Sequence, residues 1–191
     1  MADLPPVLTW LTLLSVVVWV GLELPRALRS RPEARRADRG SRPLLGVAAA
    51  AALLLALGAA RVAPALAVWD RTAAAWCGLV LLWAAVALRQ WSIRTLGRYF
   101  TLTVQTSADQ PVVATGPYRF VRHPAYVALL VAAVAAGLYV GSWLSVAAFV
   151  VVIGAALVYR ISVEERALTT DIGPAYREYA ATHKRLVPFV W

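Results

Sequence analysis

The chain has 191 residues, of which 61% are hydrophobic and 15% charged, and its formal net charge is +9. This composition excludes an intrinsically disordered protein, and it is too apolar for an ordinary soluble domain, where about 45–50% of residues are apolar. The single cysteine excludes an internal disulfide framework and a cysteine-based zinc cluster. The pI of about 10.6 would suit a nucleic-acid-binding protein, but the mean hydropathy of +0.66 does not. The composition therefore predicts an integral membrane protein.

Stretches without charged residues mark the predicted membrane spans. Three of them are long enough for one span each: 7–22, 44–60 and 72–88. A fourth stretch, 124–159, would measure about 54 Å as a single helix, whereas a bilayer core is only about 30 Å thick. We therefore expect it to fold back at Gly141 and Ser142 as a tight helical hairpin. The predicted fold is an all-α transmembrane bundle with five spans.

The basic residues predict the orientation of this bundle in the membrane. Of the 19 lysines and arginines, only Arg61 and Arg71 fall outside the loops after spans one and three and the tail after span five. Because positively charged loops stay in the cytoplasm, we expect an extracellular N-terminus and a cytoplasmic C-terminus. The predicted location is the plasma membrane, with several passes.

The two halves of the chain differ in character. Residues 1–88 resemble an N-terminal scaffold of three spans whose polar residues lie in loops. Residues 89–191, comprising a cytoplasmic loop, the hairpin and the tail, mix aromatic with charged residues and form the predicted catalytic region. A tight hairpin would bring the polar groups of 116–126 and 160–166 together. This predicts a cytoplasmic cavity at the membrane edge, where ionisable groups must pair or face water.

A basic cluster precedes the fourth span. A turn at 116–118 leads to Arg119, Arg122 and His123, and Pro124 suits the first position of the next helix. A helix N-terminus has unpaired N–H groups and a partial positive charge. The cluster therefore predicts a site for a carboxylate or phosphate. The alternative is that both arginines are interfacial anchors and the histidine only caps the helix.

Two adjacent carboxylates follow the fifth span. Glu164 lies four residues after Arg160, so the two side chains are expected to pair along the helix. Glu165 has no such partner, which predicts a bound cation or a contact with Arg122. A solvated helix face is the alternative.

Several blocks of this sequence resemble the isoprenylcysteine carboxyl methyltransferase family, which is related to the membrane phospholipid methyltransferases. Residues 116–126 resemble its G-P-Y-x-x-x-R-H-P-x-Y core, and 96–100 resembles bacterial members. A second block is similar at Arg160, Ile161, Glu164, Glu165 and Leu168, and a C-terminal pattern is similar at Gly173, Tyr176, Tyr179, Arg185, Leu186 and Pro188. The resemblance covers about 89–191. It departs at Ala128, where the family often has glycine.

The resemblance implies an integral membrane methyltransferase that uses S-adenosylmethionine. The cofactor-binding residues it implies, together with the charge pattern, are Gly116, Pro117, Tyr118, Val121, Arg122, His123, Pro124, Tyr126, Glu164, Glu165, Tyr176 and Tyr179. We expect Arg122 and Glu165 to be catalytic, with Arg98, Tyr99 and Arg119 contacting the substrate. No metal is expected.

The methyl acceptor stays open at this point. A lipophilic carboxylate, as in isoprenylcysteine carboxyl O-methylation, needs no general base, whereas an amine, thiol or phenol would use one, with Glu165 as the candidate. A sterol-reductase-like NADPH enzyme is a second possibility, although such enzymes are usually longer. A membrane scaffold or transporter is a third, although charges are missing from the span centres. The expected partners are the lipophilic or prenylated substrate and membrane lipids, and no nucleic acid.

Overall fold

A computed structural model describes residues 4–27, 35–106 and 110–186 of the chain. Its helices are α1 (Pro6–Ala27), α2 (Ser41–Val62), α3 (Arg71–Leu96), α4 (Pro124–Val140), α5 (Trp143–Asp171) and α6 (Pro174–Thr182). Short 3₁₀ turns cover Pro64–Leu66, Gly97–Tyr99 and Gly116–Arg119. Two short strands, β1 (Arg35–Arg36) and β2 (Gln105–Thr106), pair antiparallel.

Four of these helices, α1, α2, α3 and α5, are long and apolar enough to cross a membrane. Helix α4 is equally apolar but has 17 residues, which is at the lower limit for spanning a bilayer. The chain is therefore a multi-pass membrane protein with an all-helical core. The fifth span stays a prediction.

The reversal between α4 and α5 lies at Gly141 and Ser142, the residues where the sequence predicts it. Gly141 has a φ of 89°, in the left-handed region that favours glycine at the end of a helix. One turn earlier, a Cβ atom on Gly137 would lie 2.4 Å from the Cα atom of Val146. Backbone therefore packs directly on backbone, so the hairpin is tight.

Helix α2 packs against α5 through a stripe of buried alanines. The alanines are Ala48, Ala52 and Ala56, and the α5 side chains in the same cluster are Phe149, Ile153 and Leu157. Small residues allow membrane helices to approach closely, which gives the dispersion contacts that hold such bundles together. The Ser145 hydroxyl also donates to the Ala56 carbonyl at 2.7 Å. These contacts fix α2 beside the hairpin.

The hairpin turn and the α2–α3 connection lie at the same end of the bundle. The Val68 amide donates to the Gly141 carbonyl at 3.0 Å, and Ala67 forms an isolated bridge with Ser142. The start of α4 and the end of α5 therefore meet at the opposite end, together with the end of α3. This end holds the polar segments that the sequence expects to converge.

The Gly137 contact can be tested by adding one methyl group. We expect Gly137→Ala to lower the thermal unfolding temperature by several degrees, because overpacking a close contact costs about 1–3 kcal/mol or more. Gly154→Ala is the matched control, since its Cβ would come no closer than 3.9 Å to another side chain. Thermal unfolding of both variants in detergent is the measurement. Equal unfolding temperatures for the two variants would contradict the tight hairpin.

Candidate functional site

A polar pocket lies at the end of the bundle where α4 begins and α5 ends. Its wall combines loop residues between α3 and α4, the first turn of α4, the last turns of α5, and α6. The charged and aromatic lining residues are Tyr99, Phe100, Tyr118, Arg122, His123, Tyr126, Arg160, Glu164, Tyr176 and Tyr179. The two polar segments that the sequence expects to meet therefore share one cavity.

The backbone before α4 is held by the C-terminal segment. The Arg122 amide donates to the Lys184 carbonyl at 2.8 Å, and the His123 amide donates to the Arg185 carbonyl at 3.0 Å. Pro124 then occupies the first turn of α4, where its missing N–H costs no helical hydrogen bond. This pairing fixes the backbone at Arg122 and His123, and the side chains of both residues contact Glu165 on α5.

Glu165 contacts three basic side chains of the site. Its Oε1 lies 3.0 Å from Arg122 Nη1 and 3.2 Å from His123 Nε2, and its Oε2 accepts from Arg185 Nε at 2.9 Å. Only 9% of the residue is exposed, and it is not among the residues that line the pocket. The contact with Arg122 is the one that the sequence suggests. A carboxylate in this position orients its neighbours and is badly placed to take a proton from a substrate.

Glu164 faces the pocket and is linked to Arg160 through a tyrosine. The Tyr126 hydroxyl donates to Glu164 Oε2 at 2.5 Å and accepts from Arg160 Nε at 2.8 Å. The expected direct Arg160–Glu164 pair is therefore wrong, because the hydroxyl of Tyr126 lies between the two groups. Arg160 turns away toward Ser41 and the Leu102 carbonyl instead.

Two buried polar atoms of the pocket have no hydrogen-bond partner within the described ranges 4–27, 35–106 and 110–186. They are Arg122 Nε and Tyr176 Oη, and both residues line the cavity. An unsatisfied buried donor costs about 1–3 kcal/mol, so such atoms call for an explanation. A ligand that accepts hydrogen bonds inside the pocket would supply the missing partners.

The tyrosines of α6 close the pocket from one side. The Tyr179 hydroxyl donates to the Tyr118 carbonyl at 2.6 Å, which fastens α6 to the turn before α4. Across the cavity, the rings of His123 and Tyr126 stack with centroids 5.5 Å apart. Aromatic faces therefore border the charged groups on two sides.

These phenols stay protonated at neutral pH. Burial raises the pKa of Tyr179 to about 12, although the Arg122 guanidinium acts in the opposite direction. Burial and, more weakly, nearby carboxylates also raise the pKa of Tyr118 and of Tyr176 above the usual range. All three hydroxyls are therefore hydrogen-bond donors over the physiological range.

The residues expected to contact substrate are placed differently from one another. Tyr99 lines the pocket, whereas Arg98 and Arg119 are exposed and are not among its lining residues. The Arg98 guanidinium lies over the ring of Tyr99 at 4.9 Å, and that of Arg119 lies over the ring of Phe120 at 4.5 Å. Of the cofactor-binding predictions, Gly116, Pro117, Val121 and Pro124 shape the backbone of this region rather than line its cavity.

Sequence reasoning missed the contribution of the N-terminal half. Glu23 lies within α1, and its carboxylate oxygens accept from Arg89 Nε at 2.5 Å and Nη2 at 2.9 Å. Arg89 also donates to the Ala125 carbonyl at 3.2 Å, in the first turn of α4. The signal available in the sequence was that Glu23 and Arg89 each end an apolar stretch. Residues 1–88 therefore contribute a charged partner to the pocket end of the bundle, in addition to membrane spans.

The described ranges define a multi-pass helical membrane protein with a polar pocket at one end of its bundle. Residues 77–170 match the model of the isoprenylcysteine carboxyl methyltransferase (ICMT) family. This match covers just under half of the chain and agrees with the resemblance seen in its motifs.

Curated relatives match over part of their length. The chain is 33% identical over 115 residues to protein-S-isoprenylcysteine O-methyltransferases A and B of Arabidopsis thaliana, which covers 59% of this chain and 58% of each relative. A probable protein-S-isoprenylcysteine O-methyltransferase of Oryza sativa subsp. indica is 31% identical over 115 residues. The match thus spans little more than half the length of these relatives.

The fold has a counterpart among solved structures. The eukaryotic intramembrane Ras methyltransferase ICMT superposes with a TM-score of 0.65 at 22% sequence identity, covering 93% of this chain and 63% of that chain. The helical arrangement is therefore shared well beyond the matched sequence segment.

The Glu23–Arg89 pair should be essential for stability. Glu23→Ala leaves a buried guanidinium without its counter-charge, and losing one partner of a buried pair costs about 3–5 kcal/mol. We expect a fall of several degrees in the thermal unfolding temperature measured in detergent. Glu178→Ala, which removes an exposed carboxylate on α6, should leave that temperature within about a degree. A similar change in both variants would show that the pair contributes little.

Proposed function

We propose that this chain is an integral membrane S-adenosylmethionine-dependent methyltransferase that acts on a lipophilic carboxylate, as in isoprenylcysteine carboxyl O-methylation. The observation that carries the proposal is the pairing of unlike charges in one pocket. Arg122 presents a buried N–H donor without a partner among the described residues, and Glu164 presents a carboxylate that is 27% exposed. The match of 77–170 to the isoprenylcysteine carboxyl methyltransferase family supports the same conclusion.

The residues present fit the amino-acid end of S-adenosylmethionine. A carboxylate would be held by Arg122 and the N-terminus of α4, because charge-assisted donors and the helix dipole both favour an anion there. An ammonium group would be held by Glu164, and the tyrosine rings would cover the adenine and favour the sulfonium. Tyr176, whose hydroxyl has no partner in the described ranges, would bond to a polar atom of the ligand. When bound, the cofactor supplies an activated methyl group.

The pocket favours an acceptor that is already ionised. Glu164 accepts from Tyr126 and would face the ammonium group, while Glu165 is occupied by cations. His123 Nε2 lies against Glu165, and its Nδ1 lies 3.9 Å from Glu164. Glu165, the carboxylate that a base mechanism would use, is thus engaged by basic side chains, which disfavours amine, thiol or phenol acceptors that must lose a proton. A carboxylate needs only to be positioned and desolvated.

The membrane setting of the site follows from the charge pattern. We propose five spans with the pocket end in the cytoplasm, an extracellular N-terminus and a location in the plasma membrane. In this arrangement 89–191 is the catalytic region on the 1–88 scaffold. The acceptor would reach the pocket from the lipid, where Arg98, Tyr99 and Arg119 would contact its headgroup. Arg122 keeps its proposed catalytic role, whereas Glu165, also expected to be catalytic, is proposed to act by orienting Arg122.

Binding of the cofactor is the first test. Purified protein in detergent should bind S-adenosylmethionine but not NADPH in calorimetry, and Arg122→Gln or Glu164→Gln should each weaken binding by about tenfold or more, because hydrogen bonds to charged groups contribute about 1.5–3 kcal/mol. Arg166→Gln removes an exposed charge from the same α5 helix and is the control. Absence of S-adenosylmethionine binding by the wild-type protein, or binding of NADPH in its place, would refute the proposal.

The acceptor chemistry predicts a flat pH profile. Methyl transfer to a prenylated cysteine carboxylate should have a nearly constant kcat/KM between pH 6 and 9, because the acceptor is already ionised and Tyr179, with a pKa of about 12, does not titrate there. Labelled methyl transfer at saturating cofactor is the measurement. A tenfold rise per pH unit over part of this range would indicate that a base removes a proton.

A further inference from the structure

Arg160 connects four parts of the structure at one wall of the pocket. It lies on α5 and is only 4% exposed. Its Nε donates to the Tyr126 hydroxyl on α4, and its Nη1 donates to the Ser41 hydroxyl at 3.0 Å, at the start of α2. Its Nη2 donates to the carbonyl of Leu102, in the loop between α3 and α4. One guanidinium thus holds together elements that are far apart in the sequence.

The loop that Arg160 holds forms a large part of the pocket wall. Within its 100–106 part, the lining residues are Phe100, Thr101, Thr103, Val104, Gln105 and Thr106. The bond to the Leu102 carbonyl lies in the middle of this stretch, so the position of Arg160 sets the distance between the loop and the α5 face. Through Tyr126, the same guanidinium also sets the orientation of Glu164.

The charge of Arg160 is balanced from the N-terminal half of the chain. Asp38 Oδ1 lies 3.5 Å from Arg160 Nη1. The same oxygen accepts from the Arg42 amide at 3.2 Å and from the Ser41 hydroxyl, so it is fixed at the first turn of α2. A buried guanidinium is tolerated only when paired and hydrogen-bonded, and Asp38 meets that requirement.

We propose that Arg160, balanced by Asp38, is a positioning residue. It holds the 100–106 loop and the Tyr126–Glu164 pair at a fixed distance from each other across the pocket. The inference rests on the proposed function, since its readouts are the binding of S-adenosylmethionine and of the acceptor. Arg160 acts on the cofactor side through Tyr126 and Glu164, and on the opposite wall through the Leu102 carbonyl.

Variants that break one or both connections test this role. In Arg160→Lys, a single ammonium cannot reach Tyr126, Asp38 and Leu102 together, because it lacks the fork of donors of a guanidinium. We expect about a tenfold weaker S-adenosylmethionine affinity and a similar rise in acceptor KM. Tyr126→Phe breaks only the link to Glu164, so the cofactor affinity should fall with little change in acceptor KM. Arg166→Lys, on the exposed face of the same helix, is the matched control.

The double variant makes the test sharper. Because Arg160→Lys and Tyr126→Phe both break the link to Glu164, their losses of cofactor affinity should not add. If Arg160→Lys does not fold, Asp38→Asn keeps the guanidinium, weakens its counter-charge and should affect both ligands in the same direction. The inference is overturned if the folded variants bind both ligands as the wild type does, or if only their unfolding temperature falls. A wild-type protein that binds no S-adenosylmethionine would instead count against the proposed function.

Discussion

The need to neutralise buried guanidinium groups at the end of an apolar bundle governs how this protein is built. Three arginines lie there with little or no exposure, and each has a carboxylate from another part of the chain. Arg89 pairs with Glu23, Arg122 with Glu165 and Arg160 with Asp38. Removing a charge from water costs several kcal/mol, so each pair must form when the helices assemble. The pairs thereby join α1 to α3, and they join the segments before α2 and α4 to α5.

Close packing in the apolar part of the bundle makes these pairs possible. The alanine stripe of α2 and the glycine at the α4–α5 crossing allow the helix backbones to approach, which brings their polar ends within hydrogen-bonding distance. Position 128, where the family often has glycine, is an alanine that is completely buried here. A single methyl group is therefore accommodated at this position, whereas the geometry at Gly137 leaves no room for one.

Features that depend on local sequence were predictable. Helices α1 to α5 follow the charge-free stretches, and the hairpin turns at Gly141, because hydropathy and glycine act within a few residues. The convergence of 116–126 with 160–166 followed from the hairpin alone. Partners distant in sequence were not predictable, since nothing near Arg160 indicates Ser41, and nothing near Glu23 indicates Arg89. The tyrosine between Arg160 and Glu164 was missed for the same reason, because it comes from another helix.

The two adjacent carboxylates, Glu164 and Glu165, have different surroundings because they lie on different faces of α5. Successive residues on an α-helix point about 100° apart, so neighbours in sequence cannot face the same surroundings. Glu164 faces the pocket and keeps part of its surface exposed, while Glu165 points to the basic groups behind the pocket wall. Glu165 can hold Arg122 in place only because its exposure is small and both of its oxygens are occupied. Glu164 can serve a ligand only because Arg160 reaches it indirectly, through a tyrosine hydroxyl, and leaves part of the carboxylate exposed to the pocket. Direct pairing along the helix would have neutralised the one acidic side chain that lines the described pocket.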